Sequence, residues 1–572
     1  MSDYCAGSMH CRNTCQSLQF PRFSWGTVGA WATATTLVTT SLLSGLEGAQ
    51  AQTPLLSPMR VVVNSNLDGE IKADDTLTLR EAIALTNGML NPGDLSPAEQ
   101  AQVSVSKDHS RIEFDLPSGK TTIRLQSLLP TLRQAGLVID GSSQAGYVEA
   151  EDDLSIPPPV VAITSADDTE VFRGLTIAAD RVQVRGLSLY GFTAKLETTA
   201  TTPPADIFIA QRRLPAQRLQ AGNPEVTYPH EDERDVPPQG IVIEANWLGS
   251  SPQRSDTDAA PRSAFGVSIY NAVGTRILKN RITNHDGSAV ISSVQAEQTE
   301  IANNIIERNG LAGIPDAIRL EGKIGGTTIR SNQITENAGS GIYLFKPDGA
   351  VMVENNQITD NGQRLRRAAV LLMGSDHQVM GNTIQDQPGP GVVVAAYPES
   401  DRNRIEDNRF ANLEGLSIDL VGRNNRLLDQ FSRLPTNRVD LAATSSTGVQ
   451  DYQVGDGPNP LRNSDQRQRD MANRGINTPE FLSSEFFIFD NRVNVDGIAD
   501  PGTRVVLYKV NAANSKRGPL NEPLAEGVTD ESGRFAITLN QFQPGDRLSA
   551  IATHPKYGTS EPASNAVILD LE

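Results

Sequence analysis

Thiols, imidazoles and aromatic rings are scarce in this chain. Its 572 residues include three cysteines and six histidines, and aromatic residues make up 5%. Cys5, Cys11 and Cys15 all lie at the extreme amino terminus. The rest of the chain therefore has no disulfide framework, no thiol chemistry and no cysteine-ligated zinc. Basic charge is also short, with 50 Lys and Arg against 68 Asp and Glu, a net charge of −18. No basic stripe with interleaved aromatics occurs, which argues against nucleic acid as a partner. The group Arg364, Arg366 and Arg367 reads as a solvated turn. Long uncharged runs are missing too, apart from residues 25–46. Arg12 and Arg22 precede that stretch, and Ala49, Gln50 and Ala51 follow it, which is the layout of a secretory signal peptide over residues 1–51. Its threonines count against a membrane span. The expectation is a secreted protein, extracellular or at the cell surface, with no membrane span after signal removal.

What the chain does have is a repeat. Asn280, Asn304, Asn332, Asn356, Asn382 and Asn408 stand 24, 28, 24, 26 and 26 residues apart. Three places before each are Ile277, Ile301, Ile329, Val353, Val379 and Ile405, and two places after are Ile282, Ile306, Ile334, Ile358, Ile384 and Phe410. Further on come the alternating pairs Ile318/Leu320, Ile342/Leu344, Val370/Leu372, Val392/Val394 and Ile418/Leu420. A period this short marks a solenoid, and alternation within short runs marks strands rather than helices. Stacked coils place like residues about 4.8 Å apart, so each aliphatic column becomes an internal stack and the asparagines can form a ladder of amides.

The pattern resembles the right-handed parallel β-helix family, the architecture of pectate lyases and many secreted carbohydrate-active or surface proteins. The resemblance begins upstream of the counted coils. "LDGEIKADDTLTLREAIALTNG", residues 67–88, is similar to the LREAI cap motif of secreted members, with Leu77 where many relatives carry a cysteine. "LVIDGSSQAGY" from Leu137, "RGLSLYGF" from Arg185, "ANWLGS" from Ala245, "GLSIDL" from Gly415 and "GDGPNPLRN" from Gly455 follow in that family's order. Independently of any family, Thr78 and Glu81 are spaced as a capping box, so a short helix should start at Leu79 and end near Asn87 and Gly88. Leu79, Ile83 and Leu85 would cover the open end of the stack.

The expected fold is all-β, with a β-helix over residues 52–435, a polar linker or strap over 436–478 and a second domain over 479–572. In that last part "RVNVDG", "TRVVLYKV", "GRFAITL" and "RLSAIATH" alternate with turn signals, which resembles a small bacterial immunoglobulin-like sandwich. Residues 194–239, rich in Thr and Pro, read as an excursion from one coil.

Register assigns the outward residues. If Ile342 and Leu344 point in, Tyr343 and Phe345 point out. The outer column is then Ile291, Arg319, Tyr343, Leu371, Val393 and Asp419, with Ser293, Glu321, Phe345, Met373, Ala395 and Val421 beside it. Tyr343 and Phe345 are candidates to stack on sugar rings, with Arg319 and Glu321 binding hydroxyl or carboxylate groups; the other reading is that this apolar strip is covered. Candidate catalytic groups are Arg319, Glu321 and Lys346, then His285 with Asp286, and Asp376 with His377 in a turn. Glycoside hydrolysis needs two carboxyls roughly 5 to 9.5 Å apart. Glu321 and Asp419, four coils apart at about 4.8 Å each, cannot form that pair.

These residues favour a secreted or surface-associated β-helix protein without catalytic activity, adhesive or polysaccharide-binding, its partner an extracellular polysaccharide or a cell-envelope component. The alternative is a polysaccharide lyase, epimerase or hydrolase acting on extracellular glycans. No cofactor or metal is expected, except calcium if the lyase reading holds.

Overall fold

The computed structural model of the chain describes residues 57–149, 155–194, 203–213, 235–252, 261–396, 399–422, 455–461, 471–512 and 515–570. The signal peptide expected over 1–51 and most of the stretch 423–470 lie outside the described residues.

Three long sheets, called A, B and C here, contain twelve, ten and nine strands. Successive coils contribute one strand to each, and the strands pair in parallel, apart from Val103–Val105, which runs antiparallel at the edge of sheet A. In sheet A, Ile277, Ile301, Ile329, Val353, Val379 and Ile405 are register partners in turn. In sheet B the same holds from Ile282 to Phe410. In sheet C it holds for Ile318, Ile342, Val370, Val392 and Ile418. All of these side chains belong to one buried cluster. Burying each aliphatic side chain contributes about 1.5–3 kcal/mol, so every coil is held by its neighbours. The chain forms a parallel β-helix.

The corner between sheets A and B explains the asparagine period. The residue before the asparagine is left-handed: Ala245, Lys279, Asn303, Ser331, Asn355 and Asp407 have φ of 51–57°. That conformation disfavours most side chains, and the asparagine behind it locks the turn. Asn280 donates its backbone N–H (2.9 Å) and its Nδ2 (3.1 Å) to Oδ1 of Asn304. The same pair of bonds links Asn304 to Asn332, Asn332 to Asn356, Asn356 to Asn382 and Asn382 to Asn408. Asn246 adds a rung ahead of Asn280.

Each end of the solenoid is closed. The helix Leu79–Thr86 has a complete capping box between Thr78 and Glu81, and it buries Leu79, Ile83 and Leu85 beside the strand Met59–Val63. At the other end stand two mainly antiparallel sheets formed from residues 480–569. Val495, Leu507, Phe535 and Ile568 pack between those sheets. On the opposite face, Val506, Tyr508, Leu520 and Ile551 join the core of the solenoid itself.

One expectation changes. Within residues 194–239, Ala205–Ile209 is a buried strand of sheet C between Arg173–Ile177 and Val267–Val273, so this part is a coil and not an excursion. Its short apolar run is masked in the sequence by Thr and Pro around it. Within the expected linker or strap, Asn473 lies on the solenoid and accepts the Asn403 N–H at 3.0 Å, as Asn403 accepts the His377 N–H one coil earlier at 3.1 Å.

Candidate functional site

The outward column of sheet C runs Ile291, Arg319, Tyr343, Leu371, Val393 and Asp419 in register. Most of it is closed. Tyr343, Leu371, Met373, Val393, Ala395 and Val421 form a separate buried cluster, and Tyr343 is only 6% exposed. This corrects the expectation that Tyr343 stacks on a sugar, because its ring has no open face. The physical reason is that a contiguous apolar strip of this size is stable only under cover.

At one end of the strip the surface opens and becomes charged. Between Leu320 and Gly322 the register slips against Leu344 and Pro347, so Phe345 and Lys346 together stand opposite Glu321. Such a bulge re-aims side chains, and Lys346 takes φ 45° there. The guanidinium of Arg319 lies 4.9 Å from the Tyr343 ring centre and 4.5 Å from that of Phe345. It also lies 3.7 Å from both Asp316 and Glu321. Lys346 Nζ is 5.2 Å from the centre of the half-buried Phe345 ring. Burial pushes the Glu321 carboxyl up against the opposing pull of Arg319, and burial pushes the Lys346 ammonium down against Glu321. Arg319, Glu321, Phe345 and Lys346 are thus brought together.

Behind them lies a pair that the sequence reading missed. Asp316 is fully buried and accepts from Arg367 Nη1 (3.1 Å) and the Ser340 N–H (3.0 Å). Arg367 is 1% exposed, which corrects the reading of the arginine group as wholly solvated. A buried charge of this kind requires its partner. The only sequence signal was the inserted turn around Pro315.

His285 and Asp286 are not brought into this cluster. A second corner, between sheets B and C, carries its own ladder of Asn309, Asn337 and Asn361. These stand five places after Asn304, Asn332 and Asn356, a column readable from the sequence once the second corner is placed. His285 holds the same position one coil earlier. Its Nδ1 is 2.8 Å from Asn309 Oδ1 and its Nε2 is 2.8 Å from Asp206 Oδ2. Ser263 donates to the other oxygen of Asp206. Burial pushes the Asp206 carboxyl up, and His285 opposes it. Serine, aspartate and histidine here are all fully buried, so the group is a rung of the fold and not a nucleophilic site. Asp286 pairs with Arg262 at 3.1 Å. Asp376 pairs with Arg402 at the surface, and buried His377 receives the Val351 N–H on Nδ1 and donates Nε2–H to Met373 O.

Asp419 lies at the far end of the column, in a different setting. Its carboxylate accepts the backbone N–H groups of Asp456 (3.3 Å) and Gly457 (3.1 Å). Glu561, from the C-terminal unit, accepts from Leu420 N–H (3.2 Å) and from Asn459 N–H (2.8 Å) and Nδ2 (2.7 Å). Burial and then the neighbouring Glu561 push Asp419 up to about 8, and burial pushes Glu561 up to about 7.

Among the described residues no three His, Cys, Asp or Glu side chains are grouped to hold a metal ion. No helix among them is long and apolar enough to cross a membrane.

Residues 249–427 match the family model described as NosD, periplasmic copper-binding protein. The ring nitrogens of His285 and His377, the two described histidines within that span, are already engaged in the fold, so these two side chains do not fit the role of copper ligands there. No curated protein matches the chain. Among solved structures, the chain is similar to the Dettilon tailspike protein, with 13% identity over 81% of this chain and 82% of that one and a TM-score of 0.33. It is similar to the Streptococcus pneumoniae surface protein and adhesin PfbA, with 14% identity over 54% and 86% and a TM-score of 0.33. For the A-module of an Azotobacter vinelandii mannuronan C-5 epimerase the values are 14%, 53%, 87% and 0.31. Nothing about chemistry carries over at such identities.

Proposed function

We propose that the chain is an exported β-helix protein of the cell surface or periplasm that binds polysaccharide without cleaving it. In this reading residues 1–51 direct export, the solenoid winds right-handed, and the C-terminal unit is immunoglobulin-like. The supporting observation is the half-buried ring of Phe345, with the cations of Arg319 and Lys346 4.5 and 5.2 Å from its centre and Glu321 opposite. An aromatic face gives a sugar ring its apolar contact, and the flanking charges serve its hydroxyl or carboxylate groups. Against hydrolysis, Asp316 is turned inward onto Arg367, and Asp419 is four coils away.

Affinity electrophoresis of the mature protein in gels containing acidic or neutral polysaccharides tests this. Phe345→Ala should weaken binding about tenfold, a loss of roughly 1.4 kcal/mol, while the variant stays folded at the assay temperature. Unchanged binding in that variant would remove the assignment. Unsaturated uronate released from a polyuronate, with or without added calcium, and lost in Arg319→Ala would replace binding by lyase chemistry.

A further inference from the structure

The segment from Leu137 to Tyr147 plays no part in the face of sheet C. It forms one wall of a cavity of about 230 Å³ on the outer side of sheet A, lined among others by Tyr147, Pro157, Arg185, Glu244 and Lys279. The floor is recessed for a sequence reason. Arg185 and Glu244 are cross-strand partners, and the turn residues after them are Gly186 and Ala245, where later coils carry Lys279, Asn303 and Ser331. The wall presses onto that floor through two glycines. A Cβ on Gly141 would lie 2.3 Å from Gly186 O, and one on Gly186 would lie 2.7 Å from the Ser142 nitrogen.

Both walls are anchored. Gln144 accepts the Leu116 N–H at 2.7 Å and donates back to Leu116 O at 3.1 Å. Asp140 takes Nε of Arg185 at 2.9 Å, which orients the guanidinium along the floor. On the other side Trp247 Nε1 donates to Ile156 O at 3.2 Å. The cavity is therefore formed before any ligand arrives.

Its chemistry is balanced. Arg185 and Lys279 are matched by Glu244 and Glu149 at the lining, so neither an anion nor a cation is favoured. The Arg185 guanidinium and the Glu244 carboxylate, carried by neighbouring strands, put a donor and an acceptor on the same floor, an arrangement suited to sugar hydroxyls. Tyr147 adds an aromatic ring with a polar tip. The volume falls below the roughly 300–1,000 Å³ of sites for larger organic ligands and suits one ring. We propose that this cavity binds a single neutral sugar unit, such as a hexose residue of a glycan.

Saturation-transfer NMR and calorimetry on the mature protein with methyl glycosides of neutral hexoses, alongside methyl hexuronides, test the assignment. A neutral hexoside should bind in the roughly millimolar range. Tyr147→Ala and Glu244→Gln should each weaken it about tenfold, while Phe345→Ala leaves it unchanged, which separates this cavity from the sheet C face. Glu244→Gln preserves shape and serves as the variant that folds. Absence of binding by every neutral hexoside, preference for hexuronides, or indifference to both variants would overturn the proposal.

Discussion

The amino-terminal end of the solenoid is closed by a helix that follows directly from the first strand, whereas the carboxy-terminal end is closed by residues far away in the chain. Thr78, Glu81 and the apolar positions of Leu79–Thr86 lie within one short segment, and their capping bonds are local. The last coil instead receives Asn473 as a rung, Thr559 Oγ1 on the Ile405 N–H, Tyr508 on the Asp407 N–H and Glu561 on the Leu420 N–H. Local closure needs only helix geometry. Remote closure must assemble polar groups from separate segments, and here it leaves Asp419 and Glu561 buried side by side with backbone and amide donors in place of a cation.

The largest difference between the ends should come from Tyr508→Ala. Removing a fully buried ring from the solenoid core costs about 3–5 kcal/mol. Amide exchange should accelerate over residues 404–421 and stay unchanged over 79–86; equal acceleration at both ends would show that they open as one unit. A smaller effect is set by pH. Asp419 and Glu561 have folded values raised above 3.8 and 4.5, to about 8 and about 7. Their stabilising contribution is therefore complete below about pH 4, where both states are protonated, and is lost progressively as pH rises from there to about 8. Exchange at the carboxy-terminal end should quicken over that interval and the amino-terminal end should not respond; Asp419→Asn should flatten the dependence. The least effect belongs to Thr78→Ala, which removes a cap worth about 1 kcal/mol. It should be seen as faster exchange confined to residues 79–86, and a change at the far end would contradict local closure.

The columns around Asn280 to Asn408 could be read from the sequence because strand alternation and a near-constant step are local properties, and the side chains of those columns lie inside. The cluster of Arg319, Glu321, Phe345 and Lys346 was legible in membership but not in shape, since the bulge opposite Glu321 arises only when two coils of unequal length are paired. His285 beside Asp286 looked reactive because its neighbour in sequence was visible and its neighbours in space, Asp206 and Asn309, were not. Arg367 was misread for the same reason: a turn rich in arginine suggests solvent until the buried Asp316 is placed under it.

From its residues alone the chain specified a stack of short strands, an inside and an outside to each, and a helix able to close one end, because period, alternation and capping act over a few residues. Tertiary structure decided which outward face is sealed, where a cavity opens and which carboxylates meet. Those outcomes depend on contacts such as Leu420 with Glu561 and Asp407 with Tyr508, separated by 141 and 101 residues, and no local pattern encodes a partner at that distance.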